Sequence, residues 1–207
     1  MNVNQRQHWT LLGSAPASEE IWGLKRVAFP CGYYMPALAY AEPGEPLLAP
    51  PGVGEIWGMG GFAFEVGVGG KDIPLAEAHC HVAGYRPWLA LFHDCLLDEL
   101  RGREHTIMVW DRGVSIFYGL WREACQSLGE RIGVEDFAAV SAAPTVLGVQ
   151  GKTYGGSAVQ DYAHTAISVL HFMSKFMTLS TGDVYVLGPL VAGRVRPEDG
   201  GELVLTA

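Results

Sequence analysis

Apolar residues recur along this chain with two different spacings, and these spacings predict its main elements. Residues 56–70 have the composition of β-structure bent at glycines, and residues 182–188 and 201–207 have that of two further strands. Helical spacing instead places one set of apolar residues on a single face of a helix within 160–179: Ile167, Leu170, Phe172, Met173, Phe176 and Met177. We expect that face to belong to the core.

The remaining segments are shorter. Apolar runs at 106–110 and 114–121 suggest two more strands, whereas 86–104 fits a strand or a helix, and a helix slightly better. Residues 74–85 predict a short helix with Pro74 near its first turn and Gly84 at its end. Residues 41–55 are rich in proline and glycine, which predicts a loop. Together these features predict an α+β, mostly β fold with a few short helices.

The first residues predict an N-terminal arm before the main domain. Residues 18–26 have the pattern of a short helix with Ser18 as its N-cap. We therefore expect an arm over residues 1–23 and one domain over residues 24–207.

Composition narrows the functional classes. The chain has 207 residues, of which 49% are hydrophobic and 17% charged, as in a well-packed globular protein. A net charge of -8 without any basic run argues against a nucleic-acid partner. The N-terminus lacks a secretory pattern, no apolar run has the length of a membrane span, and the four cysteines have no CxxC spacing. We expect a cytoplasmic protein with reduced thiols and no membrane partner.

Three short motifs carry a resemblance to a known family. The strongest is "MTLSTGDVYVLG", residues 177–188, and the second combines "GGK" at 69–71 with "VAGY" at 82–85. A weaker one is "VAFPCGYY", which ends at Tyr33 and Tyr34. The order and spacing of these motifs resemble the fumarylacetoacetate hydrolase family over roughly residues 24–207. The resemblance implies a mixed β-roll of antiparallel strands with few helices, commonly a homodimer.

The resemblance also implies a metal site, and this chain departs from its pattern. Active members hold Mg²⁺ or Mn²⁺ with a Glu-x-Glu pair on a strand and an Asp after Gly-Tyr, because a hard cation prefers oxygen ligands and stabilises an enolate. The matching positions here are Phe62, Phe64 and Ala90. Glu65 lies one residue out of phase, on the opposite strand face, and Leu187 replaces a threonine. We therefore expect no cofactor, with Mg²⁺ or Mn²⁺ bound only if this alignment is wrong.

Other polar residues are candidates for catalysis. His93 and Asp94 follow the Gly-Tyr strand, where a histidine beside a carboxylate suits proton transfer. Arg122 and Glu123 fall near the family's Lys and Asp, and an arginine can clamp a carboxylate with two hydrogen bonds. The simpler alternative for each pair is a solvated surface. A third group of residues is expected to contact substrate: Tyr33, Tyr34, Phe62, Phe64, Glu65 and Leu187.

Two classes of function remain open, with a third disfavoured. The first is a metal-independent enzyme that isomerises, cyclises, dehydrates or decarboxylates a small, partly apolar carbonyl compound or 2-oxo acid. The second is a catalytically lapsed subunit, homodimeric or paired with an active relative; the N-terminal half of the homoprotocatechuate-pathway decarboxylase/isomerase is similar. The third, metal-dependent hydrolysis of an acylpyruvate, is disfavoured by the missing carboxylates. A closed cavity holding His93, Arg122 or Glu123 favours an enzyme, whereas a cavity filled by Phe62 and Phe64 favours a lapsed subunit.

Overall fold

Two β-sheets and five short helices make up the part of the chain that the structure describes. The computed structural model describes residues 6–103, 106 and 108–207. The strands are β1 (His8–Leu11), β2 (Gly32–Met35), β3 (Ile56–Val66), β4 (Val82–Phe92), β5 (Gln126–Leu128), β6 (Pro144–Val149), β7 (Lys152–Ala158), β8 (Val184–Val195) and β9 (Leu203–Thr206). The helices are α1 (Ser18–Trp22), α2 (Cys95–Gly102), α3 (Val109–Leu120), α4 (Val134–Val140) and α5 (Ala166–Met173).

The larger sheet is mixed and has the order β2-β1-β8-β3-β4-β5, and the smaller sheet is antiparallel with the order β7-β6-β9. Strand β3 pairs antiparallel with both β4 and β8, and among the strands in the described part of the chain only β1 and β8 run parallel. The large sheet curls into a half-barrel. The predicted α+β, mostly β fold with a rolled mixed sheet is therefore confirmed.

Both faces of the large sheet are covered, so its central strands are almost wholly apolar. On one face, Phe62 and Phe64 pack with α4 and α5 through residues such as Phe137 and Leu170. The other face packs against α1 and α3, including Trp22, Ile116 and Leu120. A third cluster joins the ends of β3 and β8 to the small sheet through Ile56, Leu147 and Val191. Because side chains alternate along β3, this strand contributes residues to the cores on both faces of the large sheet.

Two of the motifs found in the sequence lie against each other. Gly70 N donates to Leu179 O at 3.0 Å, and Leu179 N donates back to Gly70 O at 2.8 Å. A Cβ on Gly69 would lie 2.5 Å from Leu179 O, so only glycine permits this approach. The Asp183 carboxylate accepts from Ser180 N at 2.7 Å and closes the following turn. These motifs therefore fix the local chain path.

Several expected elements are different in the structure. The two strands expected at 106–110 and 114–121 are wrong, because α3 begins at Val109 and ends at Leu120. The sequence pattern did not indicate this helix, because large apolar residues occur on both of its faces. Ile116 and Leu120 are buried, while Tyr118 is 53% exposed. The expected helix at 74–85 is only a 3₁₀ turn, Ala78–His81, before β4. Of residues 86–104, the first seven complete β4 and 95–102 form α2, whereas residue 104 lies outside the described part of the chain.

The helical face at 160–179 belongs only partly to the core. Val169, Leu170 and Met173 are buried on α5, but Phe176 is 72% exposed. It lies past the end of α5 and contacts Phe172 at a ring-centroid distance of 5.1 Å. The chain turns after Met173, so the helical spacing no longer applies at Phe176.

The predicted arm contributes to the large sheet. Within residues 1–23, β1 pairs with β2 on one side and with β8 on the other. Helix α1 begins at Ser18 with Ala17 as its N-cap, and it ends at Trp22, after which Gly23 is the C-cap with a φ of +64°. Ser18 is thus the first helical residue and its side chain is buried. In the described part of the chain, no helix is long and apolar enough to cross a membrane.

Candidate functional site

A layer of aromatic rings crosses the large sheet at the level of Phe64. Phe64 is directly opposite Tyr185 on β8 and Tyr85 on β4, and Tyr185 is opposite Trp9 on β1. The rings of Phe64 and Tyr185 are stacked with centroids 5.2 Å apart, and those of Tyr185 and Trp9 with centroids 6.4 Å apart. Burial raises the pKa of the Tyr185 hydroxyl far above its ordinary value. Phe64 is fully buried inside this neutral, closely packed layer.

Phe62 is covered from above by α4. Its ring meets Phe137 edge to face at 5.1 Å, and Phe137 stacks on Tyr85 with centroids 3.8 Å apart. The loop before α4 is held to β4 by two backbone hydrogen bonds between Tyr85 and Ile132, of 2.9 and 2.7 Å. Helix α4 is consequently fixed over the sheet.

The Tyr162 hydroxyl replaces a missing backbone contact between β3 and β8. Gly61 pairs with Pro189 and Ala63 with Val186, so β8 has two residues opposite Phe62, one more than β3. Tyr162 Oη accepts a hydrogen bond from Phe62 N at 3.0 Å and donates one to Gly188 O at 2.9 Å. Burial raises the pKa of Tyr162 far above its ordinary value, so the hydroxyl keeps its proton.

A groove of about 280 Å³ remains above this surface, and we call it the aromatic groove. Its apolar walls are Tyr85, Val134, Phe137, Val159, Tyr162 and Leu187. Polar or small residues lie around it: Ala138, Ser141, Gln160, Thr165 and Ala166. None of the lining residues, as described over 6–103, 106 and 108–207, is charged at neutral pH. Such a groove can bind an apolar molecule, but it offers no strong acid or base.

A second cavity, of about 230 Å³, lies at the other end of β3 and β4, and we call it the charged cavity. Six ionisable side chains line it: Glu20, Glu55, His93, Asp94, Arg101 and Arg194. Apolar residues complete the wall, among them Ile21, Trp57 and Phe92. These three pack in the core of the opposite sheet face from Phe62 and Phe64, so the two cavities are separate.

Contacts within the charged cavity orient its polar groups. The Arg194 guanidinium lies 3.6 Å from the centroid of the Trp57 ring, and its Nε is 3.8 Å from Glu55 Oε2. The Asp94 carboxylate accepts a short hydrogen bond from the Ser115 hydroxyl on α3. His93 lies between the end of β4 and Asp94. The cavity therefore combines two guanidinium groups, which can pair with an anion, with three carboxylates and one imidazole.

Sequence comparison decides the family. The model of the fumarylacetoacetate (FAA) hydrolase C-terminal family matches residues 1–206. The chain belongs to this family. No curated protein matches the chain in sequence. The resemblance seen in the motifs is thereby confirmed, and the match extends through the predicted N-terminal arm.

Solved structures of the fumarylacetoacetate hydrolase family have the same fold. Fumarylpyruvate hydrolase from Pseudomonas aeruginosa, in complex with Mn²⁺ and pyruvate, is 20% identical with a TM-score of 0.69, covering 94% of this chain and 92% of that one. The 5-carboxymethyl-2-hydroxymuconate delta-isomerase from Mycobacterium smegmatis is 18% identical with a TM-score of 0.65, covering 96% and 76%. A proposed isomerase from Escherichia coli is 18% identical with a TM-score of 0.72, covering 100% and 89%.

The residues at the expected metal-ligand positions of this family member do not fit a divalent cation. Phe62 is 2% exposed and Phe64 and Ala90 are fully buried, and none of the three side chains has an oxygen atom. Ala90 packs in the core on the other side of the sheet from Phe62 and Phe64. Over the described ranges, 6–103, 106 and 108–207, no three His, Cys, Asp or Glu side chains cluster as metal ligands would. These three positions therefore supply no oxygen ligand for Mg²⁺ or Mn²⁺.

Glu65 is held on the face opposite Phe62 and Phe64. Its carboxylate pairs with Arg86 Nε at 3.0 Å and with an Arg131 Nη at 3.5 Å. Arg86 also donates to Gly129 O at 2.9 Å, which fixes the guanidinium. Alternation along β3 accounts for this placement, because Ala63 and Glu65 share one side of the strand. Two arginines therefore pair with the Glu65 carboxylate. A one-residue shift of the family alignment would instead make this carboxylate a metal ligand.

The remaining candidate residues lie apart from one another. Tyr33 packs edge to face on Phe117 at 5.2 Å, and burial raises the pKa of its hydroxyl. Tyr34 is 42% exposed beside Trp9. Arg122 and Glu123 follow α3, and in the described part of the chain they line neither the aromatic groove nor the charged cavity. Leu187 lines the groove, whereas Phe62 and Phe64 lie beneath it.

Sequence reasoning missed four residues that shape the two cavities. Phe137 and Tyr162 form the aromatic groove, and Arg101 and Arg194 line the charged cavity. No local pattern marks them, because each acts on residues far away in the chain: Tyr162 bonds to a residue 100 positions away. The alternation of side chains along β8 could have indicated only that Arg194 faces away from the core near the end of the strand.

Proposed function

We propose that this family member is a metal-independent enzyme that moves a proton on a small, partly apolar carbonyl compound or 2-oxo acid. The observation that carries the proposal is the charged cavity, where His93 and Asp94 lie with Arg101 and Arg194, beside Glu20, Glu55 and a few apolar residues. Its volume of about 230 Å³ suits a small molecule. The family includes solved hydrolases and isomerases, which is compatible with chemistry that proceeds through an enol.

Each group has a defined role in the proposed reaction. Arg101 and Arg194 attract the substrate carboxylate, since both guanidinium groups line the cavity. The His93 imidazole removes a proton from the carbon next to the carbonyl and returns it to another position, which isomerises the substrate. Asp94, oriented by Ser115, stabilises the imidazolium formed in between. Dehydration or cyclisation of the same substrate class would begin with the same proton abstraction, and in a dehydration the hydroxyl group would leave as water with the proton that His93 returns.

Proton exchange tests this proposal without knowledge of the product. The protein is incubated in D₂O and chelator with pyruvate, 2-oxobutyrate and 2-oxo-4-phenylbutyrate, and loss of the C3 proton signals is followed by NMR. We expect exchange above the buffer rate for at least one compound. His93→Ala should slow it by about 10²-fold or more, because general base catalysis contributes about that factor. His79→Ala is the matched control, since His79 lies outside both cavities in the described chain. Exchange equal to the blank, or unaffected by His93→Ala, contradicts the proposal.

A catalytically lapsed subunit is the second candidate, and the packing of Phe62 and Phe64 favours it. Both rings are buried in stacked or edge-to-face contacts instead of lining a cavity. In this case the chain would act through association, with itself or with an active relative. Light scattering after gel filtration, alone and with an active family member from the same cell, distinguishes the cases. A stable mixed complex that changes the relative's kcat, with no proton exchange by this chain alone, would favour the lapsed subunit.

Metal-dependent hydrolysis of an acylpyruvate is the third candidate, and elemental analysis addresses it. The family member from Pseudomonas aeruginosa was solved with Mn²⁺ and pyruvate. We expect this chain, purified after growth with added Mn²⁺ and Mg²⁺, to retain well below one equivalent of either ion. One equivalent that is needed for acylpyruvate cleavage would overturn the proposed metal independence.

A further inference from the structure

The aromatic groove has the shape and lining of a preformed binding site. Tyr85, Phe137, Tyr162 and Leu187 form its walls, and three of these four side chains carry aromatic rings. It is separate from the charged cavity, so nothing about it rests on the reaction proposed there.

Hydrogen bonds and ring stacking within the protein hold three walls of the groove: Tyr85, Phe137 and Tyr162. Tyr162 Oη makes both of its hydrogen bonds inside the protein, to Phe62 N and Gly188 O, so the ring alone is available to a ligand. Tyr85 and Phe137 are stacked in nearly parallel planes, 10° apart, and the backbone of Tyr85 is tied to Ile132. A site of this kind loses little conformational entropy when it binds a ligand.

Charge and volume restrict the ligand class. No Asp, Glu, Lys, Arg or His lines the groove in the described chain, so a charged ligand would lose hydration without gaining a counter-ion. The volume of about 280 Å³ exceeds that of a benzene-sized cavity, which is about 150 Å³. Ser141, Gln160 and Thr165 can make hydrogen bonds with an uncharged polar substituent.

The geometry points to a second binding site on this protein, the aromatic groove, which holds a neutral molecule with a single aromatic ring and one small uncharged polar group. The ring lies against Tyr85, Phe137 and Tyr162, with apolar contact from Leu187. The polar group faces Ser141, Gln160 and Thr165 at the mouth. Aromatic pairs favour stacked or edge-to-face contacts, and three of the residues that line the groove carry aromatic rings.

Two probes of similar size and different charge test the inference. Benzyl alcohol and benzoate are titrated into the full chain, and binding is measured by ligand-observed NMR and calorimetry. We expect benzyl alcohol to bind at one site with a dissociation constant on the order of 1 mM or tighter. Benzoate should bind at least about tenfold more weakly, because the groove has no counter-charge. Equal binding of the two probes, or no binding of benzyl alcohol at about 10 mM, overturns the inference.

A pair of variants on α4 locates the site. Ala138→Trp places a large ring at the mouth of the groove and should abolish benzyl alcohol binding. Ala139→Trp is the matched control, because Ala139 is the next residue on the same helix, is exposed, and does not line the groove as described. Circular dichroism melting confirms that both variants fold. Unchanged binding of benzyl alcohol in Ala138→Trp would show that the ring binds elsewhere and would overturn the inference. Neither result changes the interpretation of the C3 proton-exchange assay.

Discussion

Phe64 on β3 and Tyr185 on β8 lie directly opposite each other, with ring centroids 5.2 Å apart and ring planes 11° apart. Both side chains are fully buried. In the family pattern, the position of Phe64 would belong to a metal-binding glutamate. In this chain it is part of an aromatic layer, and its contribution is to the stability of the fold.

Truncation of Phe64 tests this structural role. We expect Phe64→Ala to lower the free energy of unfolding by about 3–5 kcal/mol, because it leaves a cavity between stacked rings. Phe176→Ala should change it by less than about 0.5 kcal/mol, since that ring is 72% exposed. Urea denaturation followed by fluorescence measures both. A loss for Phe64→Ala no greater than that for Phe176→Ala would contradict the packing described here.

The Tyr162 hydroxyl should stabilise the junction of β3 and β8. Tyr162→Phe keeps the ring but leaves Phe62 N and Gly188 O without their partner, which we expect to cost about 1–3 kcal/mol. Tyr118→Phe is the matched control, because Tyr118 is 53% exposed on α3. Amide hydrogen exchange at Phe62 is the more specific measurement, and it should become faster only in Tyr162→Phe. Equal protection of that amide in both variants would rule out the bridging role.

The ion pairs of Glu65 should contribute more than an ordinary surface pair. Glu65→Ala leaves Arg86, whose side chain is 24% exposed, without its carboxylate, and we expect a loss of about 1–3 kcal/mol. The exposed pair of Glu99 and Arg103 on α2 provides the comparison, and Glu99→Ala should cost less than about 1 kcal/mol. Chemical denaturation at low and at high salt measures both losses. If high salt removes most of the Glu65→Ala effect, the pair behaves as solvent-exposed.

Acid should weaken the fold through buried histidines. Burial is the main cause that lowers the pKa of His8 and of His164 below the ordinary 6.5. The folded state therefore keeps them neutral while the unfolded chain takes up protons. Their contribution to stability is present above pH 6.5 and is lost as the pH falls from there toward the lowered pKa values.

A pH series of denaturation curves measures this effect. We expect the denaturation midpoint to decrease as the pH is lowered from about 7 to about 5, and to decrease less steeply in His164→Gln than in the parent. Part of the decrease should persist in His164→Gln because His8 is still present. His79→Gln, at an exposed position, should leave the slope unchanged and serves as control. An identical slope in the parent and His164→Gln would show that His164 does not contribute.

The local pattern of the sequence was sufficient to predict the structure where a residue's neighbours in the chain decide its environment. Alternation along β3 placed Phe62 and Phe64 on one face and Glu65 on the other, and the structure has this division. The glycine positions marked where strands bend or approach closely, as at Gly69. The motifs indicated the family because they fix a local chain path. Periodicity failed at α3, where both faces of the helix carry apolar residues.

Contacts between distant segments were decided only by the tertiary structure. Phe137 covers Phe62, Tyr162 bridges β3 and β8, and Arg194 joins His93 in one cavity, although each pair is far apart in the chain. The sequence by itself determined the strand faces, the turns and the family, because these depend on near neighbours and on the pleat of a strand. Which side chains share a cavity depends on how the sheet curls and where the helices pack on it, and no local spacing encodes that.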